Sequence, residues 1–141
     1  MHEEIKQRLR GFLEAKRELI TAKMKAEEVE NMLTGISIDY SKEHVSTTRE
    51  PDQWVNTLAK LIDLHTECVH KMDVATEKME DCVMLISLAG TARQQEILTR
   101  YYIKGQKWER VAVEMNIDYK HMWRLIYKAF EEIEEKVSKK P

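Results

Sequence analysis

Apolar residues recur at helical spacing along most of the chain, and this pattern predicts five helices. Two long helices cover about residues 2–33 and 52–88, and three shorter ones cover about 92–103, 108–115 and 119–136. Gly35 is expected to end the first helix. The Ser- and Thr-rich residues 36–51 show no sustained period and are predicted to form a connector. The pattern therefore predicts an all-α fold.

The two long helices carry apolar stripes of the kind found in coiled coils. The stripe on the first helix is loosely spaced and consists of Ile5, Leu9, Phe12, Leu13, Leu19, Ile20, Met24, Val29, Met32 and Leu33. The stripe on the second helix follows a heptad spacing through Leu58, Leu61, His65, Cys68, Met72, Ala75, Met79, Cys82 and Ile86. His65 is interpreted as a polar residue that sets the register. We expect the two helices to pair as a hairpin within one chain; pairing with another subunit is the alternative.

The last third of the chain has shorter apolar patterns with clear boundary signals. Thr91 followed by Gln94 forms a capping-box pattern at the start of the first short helix, and Gly105 is expected to end that helix. The next two helices share one apolar side, so neither could bury it alone. Residues 91–141 are thus predicted to form a three-helix domain, preceded by a helical domain over residues 1–90.

A tight turn is predicted between the last two helices. Asn116 lies where the chain must reverse, and Asn tolerates the left-handed conformation that such turns often need. Asp118 is expected to cap the helix that follows it. Two short helices around such a turn are typical of a helix-turn-helix.

The residues of this domain also carry a resemblance to a known family. The segments concerned are Ile97-Leu98-Thr99-Arg100-Tyr101-Tyr102-Ile103-Lys104-Gly105, Trp108-Glu109-Arg110-Val111-Ala112, Asn116-Ile117-Asp118 and Ala129-Phe130. They resemble region four of bacterial sigma factors, and more narrowly the phage and prophage late-gene regulators of the ArpU and RinA type. The resemblance implies a phage-type transcriptional regulator that binds promoter DNA. Asn116 replaces the turn glycine usual in that family, and Lys107 stands where a Ser or Thr usually caps the helix.

The last helix is predicted to be the recognition helix. At about 100° per residue, its apolar residues cluster on one side and Lys120, Arg124 and Tyr127 lie on the other, flanked by His121 and Lys128. Arg124 can direct two donors onto the edge of a guanine. Lys120 and His121, in the first turn, are placed for base edges or phosphate.

Further side chains are expected to contact the DNA backbone. Tyr119, Tyr127 and Lys128 are predicted to fix the register of the helix on the duplex, and Arg110 and Lys107 to grip phosphates. The alternative interpretation of this basic face is ordinary solvated surface. Trp108 and Trp123 are interpreted as packing residues.

The distribution of charge favours the same partner. The formal net charge of the chain is −2. Residues 1–90 hold 12 Lys and Arg against 17 Asp and Glu, whereas residues 91–128 hold 8 against 4. The positive charge therefore accompanies the predicted helix-turn-helix, which favours double-stranded DNA as the partner.

Several other classes of function are not expected. We find no Gly-rich phosphate loop, nucleophile elbow or convincing carboxylate pair, so an enzyme is not predicted. His65 and Cys68 are spaced like two metal ligands, yet no second pair accompanies them, and neither a metal nor a cofactor is expected. Cys68 and Cys82, 14 residues apart on one helix, are about 21 Å apart, too far for a disulfide. No apolar stretch suggests a signal peptide or membrane span, so a cytoplasmic location in a bacterial host cell is expected.

Three hypotheses of function follow. The first is a regulator that binds DNA through the last three helices, with contacts to RNA polymerase, and forms homo-oligomers through the long helices. The second is a DNA-packaging protein similar to small terminase subunits, in which the DNA-binding part usually comes first rather than last. The third is a protein-interaction module whose coiled coil acts without DNA.

Overall fold

The computed structural model describes residues 2–38 and 51–139, and these residues form five α-helices without any strand. The helices are α1 (Glu3–Ile38), α2 (Pro51–Ser87), α3 (Ala92–Tyr102), α4 (Trp108–Glu114) and α5 (Tyr119–Lys139). The predicted all-α fold is therefore confirmed for this part of the chain. Of the predicted connector, residues 39–50 lie outside the described residues.

The predicted end of α1 is wrong. The helix continues through Gly35 to Ile38, so the connector cannot begin at residue 36. A glycine inside a helix costs only about 1 kcal/mol relative to alanine, which a helix of 36 residues can tolerate. At the other end of the connector, Pro51 is the first residue of α2, a position where the missing N–H of proline does no harm.

Packing divides the described residues into two compact units. The first, called here the terminal unit, comprises the residues up to Ala15 and those from Val74 onward; the second, the middle unit, comprises Lys16–Asp73. Each unit contains a part of α1 and a part of α2. The grouping therefore differs from the predicted division between residues 90 and 91, because the ends of the long helices that lie in the terminal unit share a core with α3, α4 and α5.

The terminal unit has a core of large side chains contributed by all five helices. Its buried members are Ile5, Leu9, Cys82, Leu85, Ile86, Ala89, Ile97, Leu98, Tyr102, Val111, Ala112, Met122, Ile126, Ala129, Phe130 and Ile133. Arg8 adds a two-pronged ion pair with Asp81, at 2.6 Å and 3.2 Å. This core fixes the three short helices against each other.

The middle unit has a smaller core. Ala22 and Ala26 of α1 pack with Cys68 of α2, and Leu61 and Leu64 lie partly buried beside them. Small side chains at such positions let two helices approach closely. Val29 and Leu33 of α1 are buried in this unit as well.

The predicted stripe on α2 is correct at some positions and wrong at others. Cys68, Ala75, Cys82 and Ile86 are buried, and Leu58 and Leu61 are partly buried, but His65, Met72 and Met79 are exposed. Leu64 and Lys71, each one position earlier than a predicted residue, are partly buried, and Leu85 is buried together with Ile86. A heptad register through Leu64 and Leu85 also contains Lys71 and the exposed Lys78, so its apolar pattern is interrupted and the sequence favours the register through His65.

The predicted stripe on α1 is likewise wrong at three of its positions. Ile20, Met24 and Met32 are exposed. Alanines take the buried positions between Leu9 and Val29, and they are Ala15, Ala22 and Ala26. The prediction placed the large apolar residues inside because they are the most hydrophobic. Hydrophobicity alone does not show which side of a helix can approach a neighbour closely.

Candidate nucleic-acid interface

The connection between α4 and α5 is built by the residues that the sequence singled out. Asn116 has a φ of 54°, the left-handed conformation predicted for it. The N–H of Ile117 donates to the carbonyl of Ala112 at 3.0 Å, and the N–H of Asn116 donates to that of Val113 at 3.1 Å. These two bonds form a Schellman motif, which satisfies carbonyls at the end of α4. The chain then enters α5 after Asp118, whose carbonyl accepts the N–H of Met122 at 2.8 Å.

The start of α3 carries the predicted capping box, together with a role for Gln94 that the sequence did not suggest. The Thr91 hydroxyl accepts the N–H of Gln94 at 3.1 Å, and the Gln94 side chain accepts the N–H of Thr91 at 3.0 Å. Gln94 is only 1% exposed. Its amide nitrogen also donates to the Leu125 carbonyl and to Glu132 Oε1, both at 3.5 Å. One polar side chain thus caps α3 and binds it to α5.

Aromatic rings hold α4 against its neighbours. Trp108 stacks on Tyr101 with a centroid distance of 3.7 Å and lies 5.1 Å from the ring of Trp123. Trp123 continues the contact to Tyr119 and Tyr127, at 6.2 Å and 5.7 Å. Both tryptophans are partly buried and packed against the core of the terminal unit, as expected of packing residues. Tyr119 and Tyr127, at the end of this ring cluster, are exposed.

The outward side of α5 is basic. Met122, Ile126, Ala129, Phe130 and Ile133 are buried. The five predicted contact residues of the outward side are all exposed, and they are Lys120, His121, Arg124, Tyr127 and Lys128.

Three of these side chains form a single cationic row. Lys120, Arg124 and Lys128 are four residues apart, so they lie along one face over about 12 Å at 1.5 Å per residue. Among the described residues, none of the three has an ion-pair partner. We call these three residues the basic row.

The two predicted phosphate contacts before α5 have different surroundings. Lys107 is exposed and occupies the N-cap position of α4 without a side-chain capping bond. Arg110 lies 3.3 Å from Glu114, and the same carboxylate is 3.6 Å from Arg100. Glu114 is therefore an ion-pair partner of Arg110. The sequence analysis did not predict this pair, although the two residues are four apart on one helix, which is the spacing typical of such pairs.

Three of the acidic side chains at the end of α5 have partners within the chain. Glu134 contacts His2, and Glu132 accepts the amide of Gln94. Lys139 donates to Glu135 at 2.8 Å, and this hydrogen bond lowers the pKa of the Glu135 carboxyl. The negative charge of this segment begins at residue 131, directly after the part of α5 that carries the basic row.

The residues considered for metal binding do not assemble into a site. Cys68 is buried while His65 is exposed. Across residues 2–38 and 51–139, we find no cluster of three or more His, Cys, Asp or Glu side chains that could hold a metal ion. In the same ranges no helix is long and apolar enough to span a membrane.

Comparisons of the chain with protein-family models, with curated proteins and with solved structures gave no match.

Proposed function

We propose that the chain is a DNA-binding transcriptional regulator of the phage type, in which α4 and α5 form a helix-turn-helix and α5 is the recognition helix. Helices α3, α4 and α5 would then correspond to a domain like region four of bacterial sigma factors, carried after a hairpin of the two long helices. The observation that carries the proposal is the basic row, three cations on one face of α5 that are exposed and free of ion pairs with the described residues. Its support also includes the left-handed Asn116 in the preceding turn.

The residues of the interface take distinct roles in this proposal. Arg124, in the middle of the basic row, directs its two donors at a guanine in the major groove, a contact worth about 1–3 kcal/mol of discrimination. Lys120 and His121, in the first turn, contact base edges or phosphate. Lys128 with Tyr119 and Tyr127 contacts the backbone.

The two basic residues before α5 bind phosphate with different strength. Lys107 has no ion-pair partner among the described residues, so its full charge is available to a phosphate. Arg110 must first exchange its carboxylate partner Glu114 for a phosphate, so it contributes less.

The remaining features of the proposal concern the rest of the chain and its location. The long helices join copies of the regulator, and the regulator also contacts RNA polymerase. A regulator of promoter DNA in a phage or prophage acts in the cytoplasm of the bacterial host.

Fluorescence anisotropy with duplex DNA from the neighbourhood of the protein's own gene tests the proposal. We expect salt-sensitive binding by the wild-type chain. The Lys120→Ala/Arg124→Ala variant should bind at least about 30-fold more weakly, with a salt slope smaller by roughly two ions. The control variant Lys16→Ala/Lys23→Ala removes the same charge from exposed positions of α1 and should bind nearly as the wild type does.

Two results would reject the proposal. One is the absence of binding by the folded wild-type chain. The other is an equal loss of DNA affinity in both double variants, which would mean that the affinity depends on the net charge of the chain and not on the basic row. A helical content unchanged in circular dichroism excludes unfolding as the cause of either result.

A protein-interaction module without DNA binding is the second candidate, and the exposed apolar residues of α2, such as Ile62 and Val69, favour it. For such a module, loss of the basic row would leave function intact. A DNA-packaging protein similar to small terminase subunits would instead form ring-sized oligomers in solution.

A further inference from the structure

The outward side of α2 in the middle unit carries a second heptad pattern. Val55, Ile62 and Val69 recur at intervals of seven residues, and Leu58 and His65 lie at the intermediate positions. We call these five residues the outer row. Every seventh position in it is β-branched, and the same spacing continues in the sequence of α2 at Thr76, Met79 and Val83.

The outer row lies beside the buried face of α2, not on it. Val55 is 56% exposed, Ile62 59% and Val69 58%. Trp54, 43% exposed, lies one turn before Leu58 and extends the same apolar side. The apolar arc of α2 thus extends beyond the residues that pack against α1. Such a width is typical of a helix that packs between two neighbours in a bundle.

Among the described residues, the middle unit buries few large apolar side chains. Its core cluster consists of Ala22, Ala26 and Cys68 with the partly buried Leu61 and Leu64. Val29 and Leu33 of α1 are buried as well. Among the described residues, the middle unit thus buries fewer large apolar side chains than the terminal unit does. Covering the outer row would add large apolar side chains to this burial.

The chain between α1 and α2 is not suited to cover this row. Residues 39–50 contain only two large apolar residues, Tyr40 and Val45, among five charged ones. The outer row spans 14 residues of helix from Val55 to Val69, or about 21 Å. Two apolar side chains cannot fill a stripe of that length.

A second copy of the same chain fits the row. A stripe on one helix is self-complementary across a two-fold axis. β-branched residues at every seventh position, with leucine at the intermediate one, favour parallel two-stranded pairing, and Leu58 supplies one such leucine. At roughly 100 Å² each, the exposed parts of Trp54, Val55, Ile62 and Val69 would bury about 800 Å² over two copies. Flanking side chains would bring the total towards the ~1,200 Å² of the smaller specific interfaces.

We propose that two copies of the chain pair through the outer row of α2. His65 is the one polar member of the row, so it weakens the pairing while favouring a single register. This inference deepens the proposed function, since a paired regulator presents two recognition helices to two half-sites. Self-association is measured without DNA, so its failure is distinguishable from a failure of DNA binding.

Analytical ultracentrifugation of the full chain over a range of about 1–200 µM tests the pairing. We expect a monomer–dimer equilibrium for the wild type. Ile62→Glu/Val69→Glu should raise the dissociation constant at least about 100-fold, because it places charges in the dry interface. The control Met24→Glu changes an α1 residue that is 63% exposed and should shift the constant less than about threefold.

A variant that is expected to pair more tightly shows whether weaker pairing in the glutamate variant is due to a loss of folding. His65→Leu should lower the dissociation constant about tenfold, an effect that misfolding cannot imitate. A wild-type chain that is monomeric over the whole range would overturn the proposal. So would a Met24→Glu variant that dissociates as readily as the double variant, or a His65→Leu variant that pairs more weakly than the wild type.

Discussion

The two compact units of this chain differ in how they bury apolar surface. The terminal unit closes a core of large side chains, and Leu9, Leu98 and Met122 within it have no exposed surface at all. In the middle unit, the described residues bury Ala22, Ala26 and Cys68 with Val29 and Leu33, and leave Ile62 and Val69 exposed. One unit therefore has the larger closed core, while the other leaves large apolar side chains exposed. In our proposals the first part binds DNA and the second joins two copies.

The largest expected effect comes from a Leu→Ala substitution made in each of the two units. Leu98→Ala in the terminal unit should lower the free energy of unfolding by about 3–4 kcal/mol, because Leu98 is fully buried and its removal leaves a cavity. Leu64→Ala in the middle unit should lower it by only about 1 kcal/mol, because that side chain is partly exposed already.

Urea denaturation followed by circular dichroism measures both values at one protein concentration. If the two variants lose equal stability, the middle unit is as well packed as the terminal unit and the comparison fails. Leu98→Met, which nearly conserves volume, is the control and should lose less than about 1.5 kcal/mol.

The two cysteines report on the same difference through their chemistry. Cys82 lies in the terminal unit, where its thiol is within 3.6 Å of the Leu9 carbonyl. Burial, followed by the neighbouring charge of Asp81, raises the pKa of this thiol from 9.0 to about 12. Cys68 is buried in the middle unit. At pH 8 we expect Cys68 to react with a thiol reagent at least about tenfold faster, because its weaker surroundings open more often.

The single variants Cys68→Ala and Cys82→Ala assign the two rates, and equal rates would contradict the expectation.

The raised pKa of the Cys82 thiol also has a consequence for stability. A folded pKa above the unfolded value contributes stability that is complete below pH 9 and is lost as the pH rises towards 12. Stability should therefore fall over that range, and Cys82→Ala should fall less than the wild type does.

The same contrast explains which features the sequence could predict. The bounds of α3, α4 and α5 agree with the prediction within one to three residues. Each of these helices has local boundary signals, such as the capping box of Thr91 and the turn residue Asn116. The outward side of α5 was also predictable, because one strongly amphipathic helix leaves little choice of the buried side.

Features that depend on a distant neighbour were not predictable. The heptad pattern of α2 favours His65 over Leu64 as an inward residue, because Lys71 and Lys78 interrupt the register of Leu64, yet Leu64 is partly buried and His65 is exposed. The burial of the alanines of α1 has the same origin. Near the candidate interface, the contacts of Gln94 with α5 and of Glu114 with Arg100 join residues of different helices. No local pattern indicates such contacts.

The smallest expected effect comes from the removal of one ion pair in each unit. In the terminal unit Arg8 holds both oxygens of Asp81, at 2.6 Å and 3.2 Å, with each side chain one-third exposed. In the middle unit Lys71 approaches Glu18 at a single distance of 3.4 Å, and the glutamate is 61% exposed. Two-pronged arginine pairs hold their geometry better than single lysine contacts.

Asp81→Asn should therefore lower the free energy of unfolding by about 0.5–1 kcal/mol, and Glu18→Gln by less than about 0.3 kcal/mol. Urea denaturation at low and high salt measures both changes. The Asp81 effect should shrink with added salt, since both partners are partly exposed. A larger loss from Glu18→Gln than from Asp81→Asn would mean that the middle unit depends on charge where the terminal unit depends on packing. The weaker stability assigned to its sparse apolar core would then need a different explanation.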